Sequence, residues 1–151
     1  MLLSYETIFS RVRGDIDDPI ELSLNDDDLL EIYTERLHAS VGDPRVRRLF
    51  SSIKMDDISQ QMDFTLEYSV DEFTDEDFVI DILVLGMKIR WLQPKVDSVI
   101  HTAPFFGGKE EKKLLDNHNN MITRLKDLKK EQQKMIRDYG YMYNSYIQGN
   151  S

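Results

Sequence analysis

The 151-residue chain contains no cysteine. That excludes disulfides, thiolate metal sites and thiol catalysis together, and it fits a reducing compartment. Long apolar runs are also missing. The most apolar stretch, Phe78–Leu92, carries Asp81, Lys88 and Arg90 within 15 residues, too short and too charged to cross a bilayer, so no membrane contact is expected. No basic segment leading into an apolar run and a small-residue cleavage site opens the sequence, so no signal peptide is expected. Histidine is scarce: His38, His101 and His118 are scattered, and none stands in a spacing that resembles a zinc site. Gly107-Gly108 lacks the strand and further glycines of a phosphate loop, and no G-x-S-x-G occurs. Carboxylates abound, but runs such as Asp26-Asp27-Asp28 read as solvated, without the environment that raises a general acid's pKa. Asp81, inside the apolar stretch, is the one acid expected to face inward, neutralised by Arg90 or Lys88. No catalytic residue, metal ligand or cofactor is expected, and "DIDDP" lacks the glycine and glutamate of a calcium loop.

What is present is charge, unevenly placed. Residues 1–87 hold 7 Lys and Arg against 21 Asp and Glu, a balance of -14, whereas residues 88–151 hold 12 against 7, or +5, which together give the net -9. A chain of this length is most simply one domain with its own core. Tyr5, Ile8, Phe9 and Val12 take helical spacing behind Ser4 as cap, with Gly14 as the end. Leu29, Leu30, Tyr33 and Leu37 form the apolar face of a second helix, capped by Ser23 or Asn25 and closed by Gly42, and Asp43-Pro44 opens a short third one reaching Phe50. Near 61–68 the period changes: Met62, Phe64, Leu66 and Tyr68 alternate with polar residues as in a half-buried strand. Its partner is either a weak segment near 51–58 or another copy of the chain.

Thr74 to Asp77 reads as a capping box ahead of a core helix from about 75 to 93, which Pro94 kinks or ends before a further turn or two. The longest helix is expected from Lys109 to Tyr139. Its inward positions Leu114, His118, Met121, Leu125, Leu128, Gln132, Met135 and Tyr139 alternate steps of four and three, a narrow seam that packs antiparallel on the preceding helix. His118 on this seam reads as a satisfied core histidine. Between the two helices, Phe105 and Phe106 are either tucked under the bundle or offered to a partner. Gly140 is the expected stop, leaving residues 1–140 as a mainly α helical domain and 141–151 as an extended tail. That tail holds Tyr141, Met142, Tyr143, Asn144, Ser145, Tyr146 and Ile147, aromatic anchors in a polar background, a composition suited to docking on another chain.

"EFTDEDFVIDILVLGMKIRWLQPKVDSVI" followed by a small-residue loop and "KEEKKLLDNHNNMITRLKDLKKEQQKMIRDYGYMYNSYI" resembles the head-to-tail adaptors of long-tailed bacteriophages, over about residues 50–147. The most specific pieces are "GMKIRWLQPK" and "YMYNSY". The resemblance implies a non-enzymatic virion protein of the neck, assembled in the host cytoplasm, whose helical bundle forms a homo-oligomeric ring, a dodecamer in such adaptors. It further implies that the C-terminal extension binds the portal protein and that the body meets a head-closure or tail-terminator protein, while DNA passes through the ring without being read. The alternative class is a non-enzymatic helical module, such as a phage protein that binds a host target.

Overall fold

A computed structural model describes residues 1–102 and 107–142 of the chain. The order is β1 (Leu2–Ser4), α1 (Tyr5–Asp15), α2 (Pro19–Leu22), α3 (Asp26–Gly42), α4 (Pro44–Arg47), β2 (Phe50–Asp56), β3 (Gln61–Leu66), α5 (Glu72–Thr102) and α6 (Gly108–Met142). The fold is mainly α with one small antiparallel sheet, as the patterning predicts.

Polar caps set most helix starts. Ser4 accepts from the Glu6 N–H, Asn25 from Asp28 and Asp43 from Arg45, each relieving an orphan donor of the first turn. Asp18 does the same for Ile20 and Glu21, with Pro19 at the first helical position. Three expected signals differ. The short helix expected to reach Phe50 ends at Arg47, because Phe50 opens β2 opposite Leu66. The helix expected to start at Thr74 starts at Glu72, because Asp71 supplies the cap to the Thr74 N–H at 2.7 Å. Gly14 does not close α1, which continues to Asp15 with Ile16 as its C-cap.

The alternating segment is the centre of the sheet. β3 lies between β1 and β2, antiparallel to both, with Leu3 opposite Met62 and Ile53 opposite Phe64. Both of its edges are paired within the chain, so it is not free to pair with another copy. Met62, Phe64 and Leu66 are buried while Gln61, Asp63 and Thr65 face outward, the two-residue period read from the sequence. The strand stops at Leu66, and Tyr68 is exposed.

α5 is the central helix, running without a break through Pro94. A proline there removes one backbone donor and crowds the carbonyl four residues earlier, a penalty of about 3 kcal/mol. Tertiary contacts on both sides of it hold the helix: Trp91 and Lys95 both reach Asp18, His118 bonds the Val96 carbonyl at 2.9 Å, and Lys129 donates to Gln93 at 2.8 Å. The chain reverses through Gly107 and Gly108, whose φ values of 67° and 61° are left-handed and suit glycine. α6 then packs antiparallel along α5, so that His118 meets Val96 near one end and Tyr139 stacks on Phe78 at the other. All eight expected seam positions face inward: His118, Leu125, Leu128, Gln132 and Tyr139 are buried, and Leu114, Met121 and Met135 are half-buried. α6 does not stop at Gly140. It continues through Tyr141 to Met142, because an exposed glycine with nothing within 4 Å of a Cβ position imposes no turn by itself.

Asp81 is not the inward acid. It lies on the exposed side of α5 and pairs with Arg11 of α1 at 2.9 Å, with neither Arg90 nor Lys88 as its partner. Lys88 instead reaches Asp15 at 3.4 Å. The buried carboxylates are Asp18 and Asp75.

Candidate partner and ligand surfaces

Asp18 is the most constrained charge among the described residues. It accepts from the indole N–H of Trp91 and from Lys95 Nζ, each at 2.9 Å, as well as capping α2. Burial alone pushes its carboxyl up, but the Trp91, Lys95 and backbone donors together outweigh burial and hold it down at about 2. Lys95 and Arg124 also lie over the Trp91 ring, 5.5 and 5.2 Å from its centroid. These contacts tie the 16–20 turn to the α5/α6 hairpin.

A second network joins α1, α3 and the β2–β3 turn. The Tyr5 hydroxyl donates to Asp57 at 2.6 Å, and His38 Nε2 lies 2.8 Å from the same oxygen. Burial, then the bond to Asp57, raise the Tyr5 hydroxyl well above its usual range, while the Tyr5 and His38 hydrogen bonds lower Asp57. The tyrosine is thereby held as a donor that clasps α1 to the β2–β3 turn. No group of three or more His, Asp or Glu side chains that could hold a metal ion occurs among the described residues, and no helix there is long and apolar enough to cross a membrane.

The pole at the far end of α6 is apolar. Tyr139 stacks on Phe78 with ring centroids 4.8 Å apart, receives the Tyr68 N–H at 2.8 Å and donates to the Tyr68 carbonyl at 3.1 Å. Asp75 holds the same loop through the Val70 N–H at 3.0 Å and the Ser69 hydroxyl. A cavity of about 200 Å3 opens between Leu66, Val70, Phe78, Met135 and Tyr139. Tyr68 and Val70 beside it are exposed, and so is Phe73 in the first turn of α5, at 77%. Of the expected partner-binding residues, Tyr141 and Met142 form the last positions of α6 at this pole. Tyr143, Asn144, Ser145, Tyr146 and Ile147, together with Phe105 and Phe106, lie outside the described residues.

The fourth feature was not anticipated. Between α3, α4, α5 and α6 lies a polar cavity of about 410 Å3, walled by Ser40, Asp43, Arg45, Gly86 and Arg90 together with Lys129, Gln132 and Gln133 of α6. Gly86 permits it. A Cβ there would come within 1.9 Å of Ser40 Oγ and 2.9 Å of Ser40 Cβ, so α3 and α5 approach closely only because both residues are small. Ser40 is 2% exposed, and its Oγ is buried without a hydrogen-bond partner. Such an orphan costs about 1–3 kcal/mol, which calls for an explanation. One signal for this site was in the sequence: Gln132, an amide at an inward seam position.

No protein-family model, curated protein or solved structure matches the chain.

Proposed function

We propose that this chain is a head-to-tail adaptor of a long-tailed phage neck, a ring subunit that docks on the portal protein through Tyr141–Ile147. The apolar pole carries this reading. Exposed Tyr68 and Val70 lie beside Tyr139 at the end of α6, and the aromatic C-terminal residues follow α6 in the chain. Aromatic anchors beside an uncovered apolar patch are what a narrow protein interface needs, since a few such residues supply most of its energy. The sequence resemblance gives the partner its identity. The body of the ring, acidic over residues 1–87, is left to meet the head-closure or tail-terminator protein. The ring is dodecameric in such adaptors.

The test is a chain ending at Met142, compared with the full chain. Residues 143–151 contribute no seam position, so the thermal transition stays in place, while co-sedimentation with cognate portal rings is lost. The removed segment reaches at most about 32 Å when extended, which bounds the footprint on the portal. Undiminished binding by the shortened chain overturns the docking assignment and moves attention to Phe105 and Phe106. Unfolding of the shortened chain would place those aromatics in its own core.

A further inference from the structure

The polar cavity shares no lining residue with the apolar pole, and its wall has a chemical character of its own. Arg45, Arg90 and Lys129 stand against the single carboxylate Asp43. That is a local balance of +2 in a chain of net charge -9. The remaining polar wall is made of amides, Gln93, Gln132 and Gln133. Some of these groups are committed: Asp43 accepts from the Arg45 N–H and lies 3.7 Å from its guanidinium, and Gln93 accepts from Lys129 at 2.8 Å. Others are not. Among the described residues Arg90 makes no ion pair, the Gln132 amide is 7% exposed without a hydrogen bond, and Ser40 Oγ behind it has none. A fold that wanted only a packed α3–α5–α6 contact would place an apolar side chain at 40, where a buried hydroxyl without a partner is a net loss, and at 132, where an amide buries less apolar surface than leucine.

We infer that this cavity is a carboxylate-binding site, taking a small di- or tricarboxylate or the acidic side chains of a peptide segment. Its volume falls in the range of small-molecule sites, about 300–1,000 Å3. The uncommitted guanidinium of Arg90 offers the planar fork that binds a carboxylate with two bonds, Lys129 adds a point charge, and the Gln132 amide supplies neutral donors at the floor. The inference does not depend on the adaptor reading and stands if that reading fails.

The experiment is isothermal titration of the full chain with citrate and, separately, with a hexaglutamate peptide, at low ionic strength and with a sulfate control. Wild-type protein binds at least one of the two probes saturably and one-to-one. The exposed-charge variant Arg90→Gln/Lys129→Gln, checked by its thermal transition, loses about tenfold or more in affinity. Lys113→Gln, which removes an exposed cation about 24 Å along α6 from Lys129, leaves affinity within about twofold, as expected of a screened surface charge. Citrate binding alone assigns a small-molecule source, and peptide binding that citrate displaces assigns a protein source. Absence of saturable binding by either probe, equal loss in Lys113→Gln, or full affinity in the double variant overturns the site.

Discussion

Gly86→Ala tests the contact on which the polar cavity is built. In a free helix the change is favourable by about 1 kcal/mol, since glycine loses more backbone entropy than alanine. In this chain the new methyl group would lie 1.9 Å from Ser40 Oγ, 2.9 Å from Ser40 Cβ and 3.4 Å from Gln132 Nε2. Rotating the serine relieves only the first of these, so α3 and α5 must part. Overpacking of a tight core contact costs about 1–3 kcal/mol, with this one near the upper end because backbone-fixed atoms collide. The expected net loss is about 1–2 kcal/mol after the propensity gain is subtracted. Ser40→Ala alone should be neutral or slightly stabilising, since it deletes an orphan hydroxyl and leaves every other contact in place. The double variant then recovers part of the loss, with a coupling energy of about 0.5–1.5 kcal/mol in a double-mutant cycle. Urea unfolding with a shared slope reads all four corners of the cycle. A Gly86→Ala protein more stable than wild type, or a coupling of zero, would refute the close approach of α3 and α5.

Asp18→Asn should lower stability at neutral pH by about 2 kcal/mol. The Asp18 carboxyl is held at about 2 in the folded state, below its ordinary 3.8, so its contribution is complete above 3.8 and lost as pH falls through about 2. The gap between the variant and wild type therefore narrows between those two values, and an acid-unfolding series at fixed salt reads it. Tyr139→Phe removes the hydroxyl that links α6 to both backbone groups of Tyr68, costing about 1–2 kcal/mol and accelerating hydrogen exchange at the Tyr68 amide. Leu125→Ala, at a buried seam position, costs about 2–5 kcal/mol through lost transfer energy and the cavity left behind. A loss under half of one kcal/mol, by the same urea assay, would count against the seam.

The elements that could be read in the sequence were those whose burial is one-sided. α6 buries a single stripe, so its four-three stepping from Leu114 to Tyr139 names the inward residues without help from tertiary structure. β3 buries one face, and its alternation is equally plain. α5 was harder because its apolar residues surround it, leaving no period from which to orient Asp81; that acid faces outward because Arg11 of α1 waits there. β1 escaped notice for a simpler reason: three residues are too few to show alternation, and the strand exists because β3 offers it an edge. Pro94 and Gly140 are local stop signals that did not stop their helices. The Asp18, His118 and Lys129 contacts brace the first, and nothing in the surroundings of the second demands a turn. Of the polar cavity only Gln132, an amide on the inward seam, was legible, because the rest of its wall joins residues from four elements far apart in sequence.

Two polar side chains occupy the seam of α6, and their difference separates what folding explains from what it leaves over. His118 and Gln132 lie on the same face of the same helix, each 7% exposed. His118 bonds the Val96 carbonyl at 2.9 Å, which braces α5 just beyond Pro94 and accounts for a histidine at that position in structural terms. Gln132 has no such bond, and it sits beside an orphan serine and an unpaired arginine at the wall of an open cavity. A leucine in its place would bury more apolar surface, at about 25 cal/mol per Å2, and leave no amide to satisfy. If Gln132→Leu stabilises the fold while abolishing carboxylate binding, the amide is there for a ligand. If it destabilises the fold and leaves binding intact, the glutamine belongs to the packing of the hairpin, and the cavity is only the gap between four helices.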